Sequence, residues 1–293
     1  RWSPDGRWLA YFHRRDQYIS QPHQLLLADM ETGELRPVMD DFVPLRLVTW
    51  TSDSQALIYV THERVVRYDL ASGATTVLYE QPYDPSTGFS VFVSPAADRA
   101  LIMRSERGWV IDTASGETLA EVESMRSVGM VVWAADGARF AFTYSQFPNP
   151  ARLLVYDLTT DELLTVSTVS RGTIQNVTWS ADGRLAWSET QQNAETQEQM
   201  TRVLVREGAS APRLLAHIPH AISQLVWSPT RDQLAFSTYA GVYVIDVPSG
   251  IFHEFIQGVG RIRWLDWSFD GDYLAAQITA RVGVGDLALL NGD

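Results

Sequence analysis

The sequence has no cysteine and no lysine among its 293 residues. Without cysteine, the chain cannot form disulfides, use a thiol in catalysis or build a cysteine-based zinc site. All 23 basic residues are arginines, so Schiff-base lysines and phosphate-loop lysines are excluded as well. A chain without cysteine suits oxidising and reducing compartments alike, and we prefer a periplasmic or extracellular location to a cytoplasmic one.

Long apolar runs and an excess of positive charge are also missing. No stretch of about 18 apolar residues occurs, so the sequence predicts no transmembrane segment. The formal net charge of −12 argues against a nucleic-acid partner, because binding to phosphates needs a basic face.

Catalytic motifs are absent too. The sequence has neither a Gly-x-Ser-x-Gly nucleophile turn nor a glycine-rich phosphate loop. His217 and His220 could bring two imidazoles together, but no carboxylate stands at a familiar metal-ligand spacing. We therefore expect a protein that is not an enzyme and that holds no metal and no cofactor.

The feature that is present is an internal repeat. Trp179-Ser180-Ala181-Asp182-Gly183 is followed by the apolar Leu185-Ala186-Trp187. The same pattern starts at Trp2 and Trp267, and looser copies start at Trp50, Val93, Trp133 and Trp227. These seven copies lie about 40 to 48 residues apart, which is the length of a four-stranded propeller blade.

Each repeat predicts four antiparallel strands. An apolar run leads to the tryptophan, an Asp-Gly turn follows, and a second apolar run returns. A third run ends in a tail such as Asp69-Leu70-Ala71-Ser72-Gly73, whose aspartate can cap the next turn. The pattern predicts an all-β, seven-bladed β-propeller of four-stranded antiparallel blades, one domain over residues 1–293. The blade cores are predicted near residues 1–39, 47–79, 90–122, 129–167, 174–216, 222–256 and 261–293.

The repeat resembles a known family. Trp-Ser-Pro-Asp-Gly-x-x-Leu-Ala-Tyr at residues 2–11, together with the Asp-x-x-Ser/Thr-Gly tails, is similar to the WD-like repeats of TolB-type β-propellers. The resemblance covers essentially the whole chain and implies the fold, but proteins with unrelated functions share it. Three departures are expected to change turns locally: Val93 replaces the tryptophan, Thr230-Arg231 replaces Asp-Gly, and Arg206 replaces the tail aspartate.

The first and last repeats each lack one strand. The resemblance implies that a strand before residue 1 completes the last blade, so we expect the chain to be a fragment of a longer polypeptide or to lack its terminal segments.

The loops between the second and third strands vary most. They include a polar, glutamine-rich loop predicted from Thr190 to Arg202. Long variable loops on one rim of a fold are a common place for binding. The connections between blades, such as Glu80 to Ser90, fall on the same rim. The residues of this rim that we select as candidate partner-binding residues are Arg14, Arg15, Tyr18, His23, Tyr83 and Phe147.

These observations predict a scaffold that mediates protein–protein interaction through the long-loop rim, with a partner of unknown identity. Two alternatives stay open. The chain could be an accessory or substrate-gating propeller domain of a larger enzyme similar to prolyl oligopeptidase. It could also bind a small ligand or carbohydrate in a central channel.

Overall fold

The structure of the chain is a computed structural model. It describes residues 1–13, 24–39, 45–82, 88–123, 125–146, 148–192, 199–257, 261–279 and 285–291. These residues form 26 strands, arranged in seven antiparallel sheets that follow one another along the sequence. The chain divides into two compact units, Arg1–Arg126 and Ser127–Asp293.

Unit 1 holds sheets 1 to 3. Sheet 1 is β1 (Trp8–His13), β2 (Gln24–Asp29) and β3 (Leu35–Pro37). Sheet 2 is β4 (Leu45–Trp50), β5 (Ala56–Thr61), β6 (Arg64–Asp69) and β7 (Thr75–Glu80). Sheet 3 is β8 (Phe89–Val93), β9 (Arg99–Arg104), β10 (Arg107–Asp112) and β11 (Thr118–Val122).

Unit 2 holds sheets 4 to 7. Sheet 4 is β12 (Val128–Trp133), β13 (Arg139–Tyr144), β14 (Ala151–Asp157) and β15 (Glu162–Val169). Sheet 5 is β16 (Gly172–Trp179), β17 (Leu185–Gln192), β18 (Gln199–Arg206) and β19 (Arg213–Ile218). Sheet 6 is β20 (Gln224–Trp227), β21 (Gln233–Ser237), β22 (Gly241–Asp246) and β23 (Phe252–Gln257). Sheet 7 is β24 (Arg261–Trp267), β25 (Tyr273–Thr279) and β26 (Gly285–Asn291).

The predicted all-β fold with one sheet per repeat is confirmed. Five sheets have four strands in chain order, and sheets 1 and 7 have three strands among the described residues. In sheet 1 an isolated bridge between Trp2 and Leu9 occupies the position of a first strand. The division of residues 1–293 into blade cores within one domain stays a prediction.

The predicted loop from Thr190 to Arg202 is too long. Strand β17 continues to Gln192 and β18 already begins at Gln199, because cross-strand pairing runs without interruption from Leu185↔Arg206 to Gln192↔Gln199. The polar composition of this segment suggested a loop, but the backbone hydrogen bonds of the hairpin extend both strands through it.

Each sheet has two different ends. The Trp2–Leu9 bridge is counted as strand 1 of sheet 1, so β1, β2 and β3 are its strands 2, 3 and 4. At the turn end, short turns join strands 1–2 and, where a fourth strand is described, strands 3–4; at the loop end, strands 2 and 3 are joined and the chain leaves for the next sheet. In the turns, aspartates accept backbone hydrogen bonds as predicted, for example from Ser249 N–H to Asp246 Oδ1 at 2.9 Å. The hydroxyl of Ser249 and then this N–H lower the pKa of the Asp246 carboxyl.

Turns that depart from the repeat persist with other residues. In sheet 3, Ala97 takes a φ of 54° and its N–H donates to Ser94 O at 2.9 Å, in place of glycine. In sheet 6, Gln233 N–H donates to Arg231 O at 2.8 Å, so this turn differs locally while β20 and β21 remain paired.

Repeat tryptophans join neighbouring sheets. In unit 2 the first strands of successive sheets lie side by side. The indole N–H groups of three repeat tryptophans there donate to a carbonyl on the first strand of the preceding sheet: Trp179 to Val132 at 3.1 Å, Trp227 to Thr178 at 3.3 Å, and Trp267 to Val226 at 3.4 Å. Each acceptor directly precedes a tryptophan in the sequence, so the repeat itself sets this geometry.

In unit 1, a charged side chain lowers the pKa of the turn aspartate Asp29. Arg7 Nη2 lies 2.8 Å from Asp29 Oδ2. The N–H of Glu31 donates to Asp29 Oδ1 at 2.9 Å. The Arg7 hydrogen bond, supported by backbone N–H groups, lowers the pKa of the Asp29 carboxyl from 3.8 to about 2 although burial opposes it.

This shift predicts a pH dependence of stability. Because the folded-state pKa lies below the unfolded value, the Asp29 carboxylate stabilises the fold at pH above about 4, and the contribution is lost as the pH falls from about 4 to 2. We expect Asp29→Asn to reduce the loss of unfolding free energy over this range in urea titrations at pH 7, 4, 3 and 2. Glu34→Gln, a change at an exposed carboxylate, is the control. An unchanged pH profile in Asp29→Asn would contradict the assignment.

Candidate functional site at the junction of sheets 4, 5 and 6

The most unusual side chains in unit 2 lie in one row across the loop end of sheet 5. Glu189 on β17 pairs with Arg202 on β18, and Arg202 pairs with His217 on β19. Residues directly opposite each other on antiparallel strands share one face of the sheet. The row therefore runs from a buried carboxylate through a partly exposed arginine to an exposed histidine.

The carboxylate of Glu189 is 2 % exposed and is surrounded by donors. Arg202 Nη2 lies 2.6 Å from its Oε2, and the indole N–H of Trp187 donates to its Oε1 at 3.0 Å. The hydroxyl of Ser167, on β15 of sheet 4, donates to the same Oε1. The carboxylate thus ties two sheets together.

Burying the Glu189–Arg202 ion pair costs the fold desolvation free energy. Taking charges out of water costs free energy that the attraction within the pair regains only with good geometry and further hydrogen bonds. The contact between sheets 5 and 6, by comparison, is made by buried apolar side chains that include Leu215, Leu225 and Phe236. The pair holds Arg202 in one orientation, with the arginine side chain still 34 % exposed.

The loop end of sheets 5 and 6 also carries large exposed side chains. Met200 precedes Arg202 by two residues on β18 and is exposed. Tyr239, in the connection between β21 and β22, is 70 % exposed. Its hydroxyl lies 3.2 Å from His220 Nδ1, and the two rings are 4.7 Å apart. We call Met200, Arg202, His217, His220 and Tyr239 the loop-end patch.

At the opposite, turn end, sheets 4 and 5 leave a cavity of about 320 Å³ between them. Trp179, Leu185, Val155 and Leu164 give it apolar walls, and four charged side chains also line it: Arg139, Asp157, Glu162 and Arg206. We call this space the seam cavity.

The candidate residues from the sequence cannot be compared with the loop-end patch. Arg14, Arg15, Tyr18, His23, Tyr83 and Phe147 all lie outside the described residues. Their role in partner binding remains a proposal. Sequence reasoning missed Glu189 and Arg202, because Arg202 was taken as the last residue of the predicted loop and Glu189 directly precedes that loop. The sequence signal that could have found Glu189 is its position two residues after Trp187, in the strand that follows the Asp-Gly turn of this repeat.

The described residues contain no group of three or more His, Cys, Asp or Glu side chains placed to hold a metal ion. His220 contacts Tyr239 instead of forming part of such a group. No helix long and apolar enough to cross a membrane is found in the part of the chain that the structure describes.

Comparison with known proteins gives the fold. No protein-family model and no curated protein matches the chain. Among solved structures, an oligogalacturonate lyase from Vibrio parahaemolyticus is similar over 100 % of this chain and 88 % of its own, with a TM-score of 0.65 and 10 % identity. Dipeptidyl peptidase 4 from Porphyromonas gingivalis matches 100 % of this chain and 50 % of its own, with a TM-score of 0.77 and 8 % identity. The Dos1 propeller matches 92 % of this chain and 74 % of its own, with a TM-score of 0.62 and 14 % identity.

We inferred from the missing catalytic motifs that the chain is not an enzyme, and that inference is wrong. An oligogalacturonate lyase, an enzyme, has the same fold over the whole of this chain. The absence of a nucleophile turn therefore does not argue against catalysis in this fold. At such low identity the likenesses show the fold alone, and that fold is the β-propeller predicted from the repeats.

Proposed function

We propose that the chain binds a protein partner through the loop-end patch of sheets 5 and 6. The observations that carry the proposal are the anchored Arg202, with the exposed Met200 two residues before it on β18, and the exposed Tyr239 held by His220. Arginine, tyrosine and methionine are enriched in protein interfaces, and arginine and tyrosine dominate their energetic centres.

The hydrogen bonds of the patch support this function. Glu189 fixes Arg202 before any partner arrives, and the contact with His220 restrains Tyr239. Side chains that are already ordered lose less conformational entropy on binding, so more of the interaction energy appears as affinity.

The chemistry of the patch selects the partner. Arg202 offers a planar donor group that suits carboxylates, and the exposed His217 lies opposite it on β19. Met200 and Tyr239 offer apolar surface. The partner that fits is a protein segment with an acidic side chain flanked by apolar ones.

Truncation of the exposed anchors tests the proposal. We expect the Met200→Ala/Tyr239→Ala double variant to weaken binding of the native partner at least about tenfold, since anchors of this kind typically contribute more than about 1.4 kcal/mol. The measurement is quantitative capture from lysate of the source organism, followed by titration of the recovered protein.

Phe269→Ala is the matched control, because Phe269 is 98 % exposed at the turn end of sheet 7. It should leave capture unchanged. Equal losses in the control and the double variant would contradict the proposal. A chain that captures no protein would favour a gating domain of a larger enzyme or a small-ligand site.

A further inference from the structure

Repeat five breaks the turn pattern at the place where the seam cavity lies. Asp29, Asp69, Asp112, Asp157 and Asp246 end the third strands of other sheets, and their carboxylates accept hydrogen bonds from the turn that follows. In sheet 5 that position is Arg206. The turn there is closed instead by the N–H and hydroxyl of Ser210, which donate to Glu207 O at 3.0 and 2.7 Å.

Arg206 lines the seam cavity, and as a cation it cannot accept the N–H groups of the turn as the aspartates do. Its Nε donates to Ser210 O at 2.9 Å. Among the described residues, no carboxylate lies within 4.0 Å of its guanidinium nitrogens, although Asp157 and Glu162 line the same cavity. Burial lowers the pKa of Arg206, as expected for a cation taken from water without a counter-charge.

The second arginine of the seam cavity, Arg139, already has an ion-pair partner. Arg139 is bound to Asp136, with 2.7 Å between Nη2 and Oδ2, and it lies over the Trp179 ring at 5.1 Å from the ring centroid. Gly183 leaves room for it, since a Cβ there would come within 2.7 Å of Arg139 Nη2. Arg139 thus forms part of the cavity wall and leaves Arg206 as the cation with no carboxylate partner.

The cavity presents a cation and two carboxylates that do not pair with each other, above apolar walls. Its volume lies within the range of small-molecule sites, which are mostly apolar with a few convergent polar groups. A ligand carrying both charges could satisfy both sides at once.

We propose that the seam cavity binds a small zwitterion with an apolar body, the chemistry of a free apolar amino acid. Its carboxylate pairs with Arg206, its ammonium group faces Asp157 and Glu162, and its side chain contacts Trp179 and Leu185. This site lies at the turn end and is independent of the loop-end patch.

Calorimetric titration of the full chain with matched probes tests the site. We expect L-phenylalanine or L-leucine to bind saturably. Phenylalaninamide lacks the carboxylate and 3-phenylpropionate lacks the ammonium group, and each should bind at least about tenfold more weakly than phenylalanine, since each loses a charge-assisted contact.

The variant Arg206→Gln should weaken phenylalanine binding by a similar factor and leave phenylalaninamide binding unchanged. Arg171→Gln, a change at an exposed arginine outside the cavity lining, is the control. The probe series on the unaltered protein decides the matter even if Arg206→Gln fails to fold. No saturable binding of either amino acid would overturn the proposal, as would equal binding of all probes.

Discussion

Replacing Arg202 with methionine should destabilise unit 2 by about 3 kcal/mol, because a charge is left buried without its partner. Glu189 would keep only the donors of Trp187 and Ser167. Methionine retains most of the apolar stem of the arginine, so the loss reports on the guanidinium more than on packing. Urea unfolding at neutral pH measures the effect.

A double variant separates the buried charge from its hydrogen bonds. In Glu189→Gln/Arg202→Met the glutamine oxygen can still accept from Trp187 and Ser167, but no buried charge remains. We expect it to regain at least about 1 kcal/mol relative to Arg202→Met. Arg171→Met, at an exposed site, should stay within about 0.5 kcal/mol of the unaltered chain. A loss of stability in Arg202→Met as small as in this control would contradict a buried, unpaired charge at Glu189.

Replacing Trp227 with alanine should cost about 3–5 kcal/mol, the usual range for a buried aromatic side chain. Trp227 is buried against the apolar cluster between sheets 5 and 6, and the guanidinium of Arg184 lies 4.8 Å from its ring centroid. The substitution leaves a cavity where two sheets meet and removes the hydrogen bond to Thr178 O.

Two further variants divide this loss. Trp227→Phe keeps a large ring and should cost about 1 kcal/mol beyond repacking, through the lost indole N–H. Trp264→Ala removes a tryptophan that is exposed on β24 and should cost less than about 1 kcal/mol. Equal melting temperatures for Trp227→Ala and Trp264→Ala would show that the repeat tryptophan does not join the sheets.

The sheets could be predicted because the residues that specify them lie close together in the sequence and recur from repeat to repeat. Tryptophan, Asp-Gly and the tail aspartate recur at nearly constant spacing, and each has a direct structural consequence in its own turn or strand. Where Ala97 replaces a glycine, the hydrogen bond of the turn still forms.

The loop-end patch could not be predicted, because it depends on strand register. Glu189 and Arg202 meet only because β17 and β18 pair without a shift up to Gln192↔Gln199. The polar run from Thr190 onward gives no periodic signal that fixes this register. Ser167 lies 22 residues before Glu189 and on another sheet, so their contact has no mark in the sequence.

The sequence indicated one part of the seam cavity and not the rest. The departure at Arg206 stands out in the repeat, but the space beside it arises from how sheets 4 and 5 pack, which spacing does not encode. The departure from the repeat identified Arg206 as unusual, and only the structure showed what surrounds its side chain.

Site-specific photocrosslinking tests most directly whether the loop-end patch is the binding surface. A photoreactive residue would be placed at position 239 in one variant and at position 269 in another, and each variant exposed to lysate of the source organism. We predict one crosslinked protein from position 239 that is competed away by the unaltered chain, and none from position 269. The same product from both positions, or a product from position 269 alone, would contradict the account.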